Sequence, residues 1–476
     1  MTATAASWSA LFHGCHLAYT ALLTLGVGVH AFGIHLVATV LPSVVADIGG
    51  TAFYAWATML FIMASIMGTA CGGLIKSRLD LRRGYLIGVL AVLAGTAGCA
   101  AAPYIAVLLL ARAFQGFGSG LLVALAYSMV NEFYAEALRA RALSAISGIW
   151  GVAALLGPMV GGVFAASGWW RGAFWAAIPV LILLAGLAWR TLPRLAVKGA
   201  AERGSFPAAR LTLLGLGVLC VAASGHVTPI GWRLALMSSA VALVGYAFRL
   251  DGRATTRLFP LRPLSLRTLG GTSSWIFFMF GITTSVVTVF MPLVLHVLHG
   301  VSLLSAGYIN ALLSLTWTVL ALCSASLHDR QIRQVVWLGP LLMLVGVVGL
   351  KVCVVDGPLL MLGVFVALIG AGIGLCFAHI SSWTMATAQA GEGALAASSI
   401  PTIQALGIAF GAATAGLVAN TAGLVMGIAP EAVASAARWV YQLGVLPSAI
   451  TMVLAARLLW LHQSYRSSYL DDSEAG

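Results

Sequence analysis

Long apolar runs separated by short polar breaks organise the whole chain. The runs fall at roughly 18–46, 52–75, 84–101, 104–131, 142–167, 172–190, 211–227, 231–249, 269–297, 303–326, 335–352, 357–386, 394–421 and 437–461. Crossing a bilayer takes an apolar helix of about 20 residues. Fourteen such runs predict fourteen spans and an all-α integral membrane protein. The run at 142–167 is unusual inside. It contains Gly151, Gly157, Pro158, Gly161 and Gly162. A soluble helix tolerates such residues poorly in its middle. A membrane helix accepts them, because its neighbours satisfy freed backbone groups and small residues permit close contact. This run reads as a helix built to bend and to pack tightly.

Composition agrees: 61% of residues are hydrophobic and 8% charged, with a net charge of +12. Such a basic balance raises the question of nucleic acid, and the placement of the charges answers it. With both termini on the cytoplasmic side, the cytoplasmic connections carry 20 Lys and Arg, the opposite ones carry 4, and Arg112 falls inside a span. That asymmetry follows the positive-inside rule, and one missed span would scramble it. The basic residues therefore report topology and attraction to anionic lipid, not nucleic-acid binding. Residues 1–17 lack a basic leader region and a cleavage site, so the first run is expected to stay as a helix. The basic connections 190–210 and 249–267 flank a helix pair at 211–249, leaving six spans on each side. The expected plan is a six-helix bundle at 1–190, basic linkers with two extra helices at 191–267, a second bundle at 268–462 and a cytoplasmic tail at 463–476. Seven cysteines, without a C-x-x-C pair, read as small packing residues rather than disulfides or metal ligands.

Candidate chemistry lies where polar residues interrupt the spans. Arg112 is the one cation well inside a run, and Gln115, Ser119, Tyr127 and Asn131 continue from it at helical spacing. A buried Arg is costly unless it faces a wet cavity or backbone carbonyls. It is thus either a cavity switch that biases a neighbour's proton affinity or a structural residue held by carbonyls of a neighbouring helix. His30, His35 and His379 also lie within runs, and an unperturbed imidazole titrates near about 6.5. Each either carries a proton or sits neutral in a packed contact. Trp150, Trp275 and Trp383 either wall a cavity for a flat organic molecule or face lipid. Thr284 and Thr288 suit a substrate contact or helix packing. None of the 13 acidic residues lies mid-span; Asp47 and Glu132 sit at span ends. Trp169 and Trp170 read as interface anchors. Small-x3-small pairs at Gly68/Gly72, Gly157/Gly161, Gly370/Gly374 and Gly407/Gly411 predict close crossings within one chain, in keeping with a monomer.

Four motifs in order resemble the major facilitator superfamily, specifically its fourteen-helix drug/proton antiporter branch. Gly151-x5-Gly157-Pro158-x2-Gly161-Gly162 is similar to the antiporter motif of the fifth helix. Arg112-x2-Gln115-Gly116-x-Gly118 is similar to the Arg-Gln-Gly motif of the fourth. Leu41-Pro42 followed by Asp47 resembles the end of the first helix, and Trp170-Arg171-x2-Phe174-x4-Pro179 the start of the sixth. The resemblance implies the major facilitator fold and a cavity lined in part by the spans holding His35 and His379. It implies proton-coupled export of a small amphipathic organic compound by alternating access, from the bacterial inner membrane. Two departures qualify it. In the loop after the second span, Lys76 or Arg78 stands where the family has an acid, with Asp80 nearby. Gly33 stands where the branch commonly carries an Asp in the first span. Coupling, if by protons, then rests on a histidine or on Glu132. The missing acid keeps a second reading open, a carrier of an anionic or neutral metabolite. A membrane enzyme or a channel is the remaining alternative. The spans show no clustered acids, His-x-x-x-His pair or nucleophile elbow, so an enzyme is not expected. No nucleotide-binding loop is present, and neither a cofactor nor a metal is expected.

Overall fold

A computed structural model describes residues 11–134, 136–193, 207–227, 229–254, 257–259, 263–324, 327, 329–386 and 393–474. The described chain is helical throughout: α1 (Cys15–Ile48), α2 (Trp56–Leu79), α3 (Leu81–Ala100), α4 (Ile105–Phe133), α5 (Glu136–Ala166), α6 (Trp170–Trp175), α7 (Ile178–Thr191), α8 (Ala208–Ser224), α9 (Ile230–Gly252), α10 (Leu269–His299), α11 (Leu303–Ser324), α12 (Asp329–Cys353), α13 (Leu359–Ala386), α14 (Gly393–Thr421) and α15 (Pro430–Glu474). Thirteen stretches are long and apolar enough to cross a membrane, with α6 and α7 together forming one of them. The fourteenth expected span is α8, shorter at 17 residues. It still reaches the lower limit for a spanning helix, about 17 residues.

Local chemistry sets the ends. Gly49 and Gly50 have φ of +72° and +83°, which stops α1. Asp80 is the one described non-glycine residue with positive φ, at +79°, and its carboxylate accepts the Arg83 N–H at 2.9 Å to cap α3. Thr268 caps α10 in the same way, through the Gly271 N–H at 3.2 Å. The expected tail after 462 continues as helix, because α15 runs unbroken to Glu474.

The chain divides into two compact units. The first comprises residues 1–208 with 301–311, so it holds α1–α7 and the start of α11; the second holds the remainder. In the first unit, Leu81, Tyr85, Val89 and Val92 of α3 pack with Leu121, Leu122 and Leu125 of α4 and Leu181 and Leu184 of α7. The Tyr85 hydroxyl donates to the Leu22 carbonyl at 2.6 Å, so the buried phenol has an acceptor. Glycines set the closest approaches. A Cβ at Gly116 or Gly120 would collide with the α2 backbone at Phe61 or Ser65, and one at Gly118 with α3 at Gly88. The glycines after Arg112 are therefore seams between helices. In the second unit, Gly370 and Gly374 abut α11 at Leu313 and Trp317, and Gly407 and Gly411 abut α10 at Phe278 and Ile282. The extra pair is joined by buried Arg210 of α8, which bonds Asp251 of α9. Asp251 also accepts the Leu258 N–H at 2.8 Å and the Phe259 N–H at 3.1 Å. One buried carboxylate thus ties α8, α9 and the following connection together.

Candidate functional site: a polar core beneath an apolar cavity

The Arg112 face of α4 points into the first unit. Arg112 is 1% exposed. Its Nε donates to the Ala57 carbonyl of α2 at 3.2 Å, and Nη1 donates to Gln115 Oε1 at 2.8 Å. The guanidinium lies 4.1 Å from the Phe61 ring centroid. Gln115 Nε2 donates to Thr96 Oγ1 at 2.9 Å, and Thr96 donates to its own helix at Val92 O, 2.8 Å. Guanidinium nitrogens only donate, so the Gln115 oxygen must face Arg112 and its amide nitrogen must face Thr96. Beside this chain, His30 Nδ1 lies 3.0 Å from Ser119 Oγ, and the imidazole packs on Phe61 and edge-on to Trp150. Among the described residues, no carboxylate pairs with Arg112.

This core forms one side of a cavity of about 310 Å³. The other walls are apolar. Leu25, Phe32 and Leu36 come from α1, Val152 and Leu156 from α5, and Val180 from α7; Gly33 also borders the space. A Cβ at Gly33 would meet only Phe61, at 3.8 Å. The polar members of the lining are Thr96, Gln115 and Ser119.

Several expected residues lie elsewhere. Tyr127 is about half exposed, because fifteen residues after Arg112 the face has rotated by about 60°. The side chain of Asn131 lies outside the described ones. His35 is buried against α5, where a Cβ on Gly157 would come within 2.5 Å of its own Cβ, and it does not border the cavity. Its Nε2 is buried with no hydrogen-bond partner among the described residues. Gly161 faces Leu36 and Thr39, while Gly162 and Pro158 face the start of α11 at Leu304 and Gly307. Gly151 departs from the expected tight packing: a Cβ there meets nothing within 4 Å.

In the second unit, His379 Nε2 contacts the Ser324 carbonyl at 3.1 Å. Trp275, a candidate for either a cavity wall or a lipid-facing ring, donates its indole N–H to Leu264 O at 3.1 Å, pinning the ring to the connection before α10. Trp383 stacks on His462 with centroids 4.0 Å apart. Thr284 and Thr288 donate to Phe280 O and Thr284 O one turn back on their own helix, at 2.7 and 2.8 Å, which occupies their hydroxyl protons.

Two charged contacts sit at the helix ends. Lys76 Nζ lies 2.8 Å from Glu132 Oε2 and donates to Ser128 Oγ at 2.6 Å. Glu132, expected as an alternative proton carrier, is therefore an ion-paired group about a third exposed, in a class contributing about 0–1 kcal/mol. At the other end of the unit, Asp47 accepts from Arg171 at 2.6 Å and from the Trp170 indole at 3.1 Å, while Arg171 also donates to Ala102 O at 2.9 Å. Trp170 is thus buried, not an interface anchor; Trp169 is exposed. Two motifs some 120 residues apart meet in this contact.

Phe61 and Thr96 had no distinguishing mark in the sequence. Thr96 is one hydroxyl in an apolar run and Phe61 one aromatic among many. Only the α2–α4 and α3–α4 seams bring them to Arg112.

The described residues form a multi-pass helical membrane protein with a polar core inside one bundle. Comparison with known proteins makes this specific. Residues 23–412 match the model of the Major Facilitator Superfamily, and the chain belongs to that family. It is 31% identical over 442 residues to a "Probable multidrug-efflux transporter" of Mycobacterium tuberculosis, covering 89% of this chain and 92% of the relative. It is 25% identical over 398 residues to the multidrug transporter protein MdtP of Bacillus subtilis, covering 81% and 72%. Among solved structures, a peptide transporter (POT) in complex with sulfate matches with TM-score 0.66 at 16% identity, covering 93% and 95%. The D-xylose–proton symporter matches with TM-score 0.63 at 16% identity, covering 92% and 97%. At these identities the solved structures speak for the fold alone, and that fold is the all-helical one of the family. The protein is a transporter, not an enzyme.

Proposed function

We propose that the protein exports small amphipathic organic compounds across the bacterial inner membrane by alternating access of its two bundles, driven by proton influx. The observation that carries this reading is the Arg112–Gln115–Thr96 core beside an apolar cavity in the α1–α7 bundle. An intramembrane ionisable residue that is neither at an interface nor paired with an acid is a functional group by default. The efflux relatives support the direction of transport. The carrier would act as a monomer, with protons, lipid and a small molecule as its partners.

Proton coupling is assigned to His35. It is buried, its Nε2 is unpartnered among the described residues, and it touches the glycine of α5 that must move against α1. His379 and Glu132 are the competing groups, each already bonded. In inverted vesicles with an imposed pH gradient, His35→Ala should weaken gradient-driven uptake of a transported dye more than it weakens dye binding. His379→Ala and Glu132→Gln should have smaller effects. Unchanged gradient dependence in all three variants would sink the histidine assignment. One observation favours the second reading, a neutral or anionic cargo: no acid borders the cavity among the described residues.

The orientation is proposed from the 20 to 4 distribution of Lys and Arg. Cysteine accessibility in intact cells should place both termini, 190–210 and 249–267 in the cytoplasm. A reagent-accessible 249–267 on the outer face would overturn the fourteen-span topology. Residues 194–206, 255–256, 260–262 and 387–392 of these connections lie outside the described residues.

A further inference from the structure

The cavity of the first unit has a chemistry more specific than that of an amphipathic sink. Its lining comes from one bundle alone. At about 310 Å³ it matches the small end of ligand pockets, about 300–1,000 Å³. Val152, Leu156 and Val180, which border it from α5 and α7, are each nearly half exposed. The same two helices carry exposed Leu155, Met159, Val163, Ile182 and Leu183 around them. The approach is therefore apolar and lies at mid-span, where an ion or a strongly hydrated solute pays heavily for desolvation.

The polar side of the cavity adds a sign. Gln115 Nε2 has two hydrogens and spends one on Thr96; no described residue accepts the other. Its orientation is fixed because Arg112 holds the oxygen. Arg112 lies directly behind it with no carboxylate partner, and no acid lines the space among the described residues. Gly33 leaves open the place where the branch it resembles commonly carries an Asp. The site thus offers an N–H donor backed by positive charge and, among the described residues, no carboxylate to neutralise a cation.

We infer that this cavity binds an uncharged lipophilic molecule presenting one hydrogen-bond acceptor, such as an aryl ketone, and excludes lipophilic cations. The acceptor meets the free N–H of Gln115, and the ring system fills the space between Phe32, Leu156 and Val180. The inference rests on the efflux reading for its physiological use, though not for binding itself.

The test uses the full-length protein in lipid nanodiscs with benzophenone, a neutral two-ring ketone that labels its surroundings on irradiation. Peptide mapping should find the label concentrated in 149–160 and 176–181. Excess fluorenone, a neutral ketone, should suppress it, and equal tetraphenylphosphonium should not. Gln115→Leu should weaken fluorenone protection about tenfold, the size of one hydrogen bond lost from a dry site. Leu156→Trp fills the cavity without touching the polar core and should abolish local labelling, which keeps the test decisive if Gln115→Leu fails to fold. In Gly33→Asp, tetraphenylphosphonium should become a competitor. Equal protection by the cation in the unsubstituted protein overturns the inference. So does label spread evenly over exposed helix faces without protection, the pattern expected if lipid tails fill the space. The experiment needs neither gradient nor transport. If labelling behaves as expected but no compound is exported under a pH gradient, the efflux reading alone fails. If export proceeds while labelling is unprotected, this inference alone fails.

Discussion

Gly157→Leu should abolish transport while leaving membrane insertion intact. A Cβ at this position would already come within 2.5 Å of His35 Cβ and 3.1 Å of the Leu36 nitrogen. The obstacle is the backbone and first side-chain carbon of α1, which cannot rotate away as a flexible tip would. Leucine adds three more carbons. Either α5 is pushed off α1 or the pair locks in one arrangement, and a transporter that changes state by helices sliding over small residues loses the motion in both cases. Gly161→Leu should behave alike, since its Cβ would stand 3.1 Å from Leu36 O and 3.2 Å from Thr39 Cβ. Gly151→Leu is the internal control. Nothing lies within 4 Å of a Cβ there, so it should retain most activity. Dye efflux from cells, with surface expression measured alongside, reads all three. Wild-type efflux by both Gly157→Leu and Gly161→Leu would show that the glycine-proline run is mere sequence similarity without mechanical use.

Arg112→Met should lose transport with a modest loss of thermal stability, and Arg112→Lys should keep a fraction of the activity. Placing an Arg at mid-span costs about 2.5–3.5 kcal/mol on insertion scales. Its hydrogen bonds to Ala57 O and Gln115 Oε1 return about 1.5–3 kcal/mol each. Together the two bonds, about 3–6 kcal/mol, match or somewhat exceed that cost, and methionine recovers part of the packing on Phe61. Lysine keeps the charge but has no planar fork to hold the Ala57 carbonyl and Gln115 at once. Gln115 is then free to turn, and the cavity loses its fixed donor. Melting temperature in detergent and counterflow in proteoliposomes separate the outcomes. A Met variant that transports normally would make Arg112 a structural residue. One that is strongly destabilised would show that the hydrogen bonds outweigh the burial cost.

The fold was legible because bilayer thickness sets run length, and the charge of the connections alternates in step with the count of runs. The first constraint acts on each span by itself; the second acts on the whole count, since one missed span would invert every later connection. The polar core was legible in part. Arg112, Gln115 and Ser119 recur at intervals that keep one helix face, and they do face inward together. Tyr127 shows where such reasoning expires, since a stripe drawn across four turns drifts around the helix. Trp275 and Trp383 show a different limit. An aromatic within a span takes whatever neighbour the tertiary packing offers, here a connecting segment and a histidine 79 residues on. Phe61 and Gly33 were invisible as a pair because their proximity depends on how α2 crosses α1, which no local periodicity encodes. Gly151 and Gly157 look equivalent on paper, and only the course of α1 distinguishes them.

The Lys76–Glu132 contact bears on how such a chain can change over generations. In the pattern this loop resembles, the acid lies on the α2 side; here the α2 side carries the cation and α4 the carboxylate. Reversing the charge at either position alone would set like charges face to face, a small penalty at a partly exposed contact. Recombination that replaced α2 without α4 would join mismatched halves at this seam. Segments exchanged between such chains should fit best when α2 and α4 travel together.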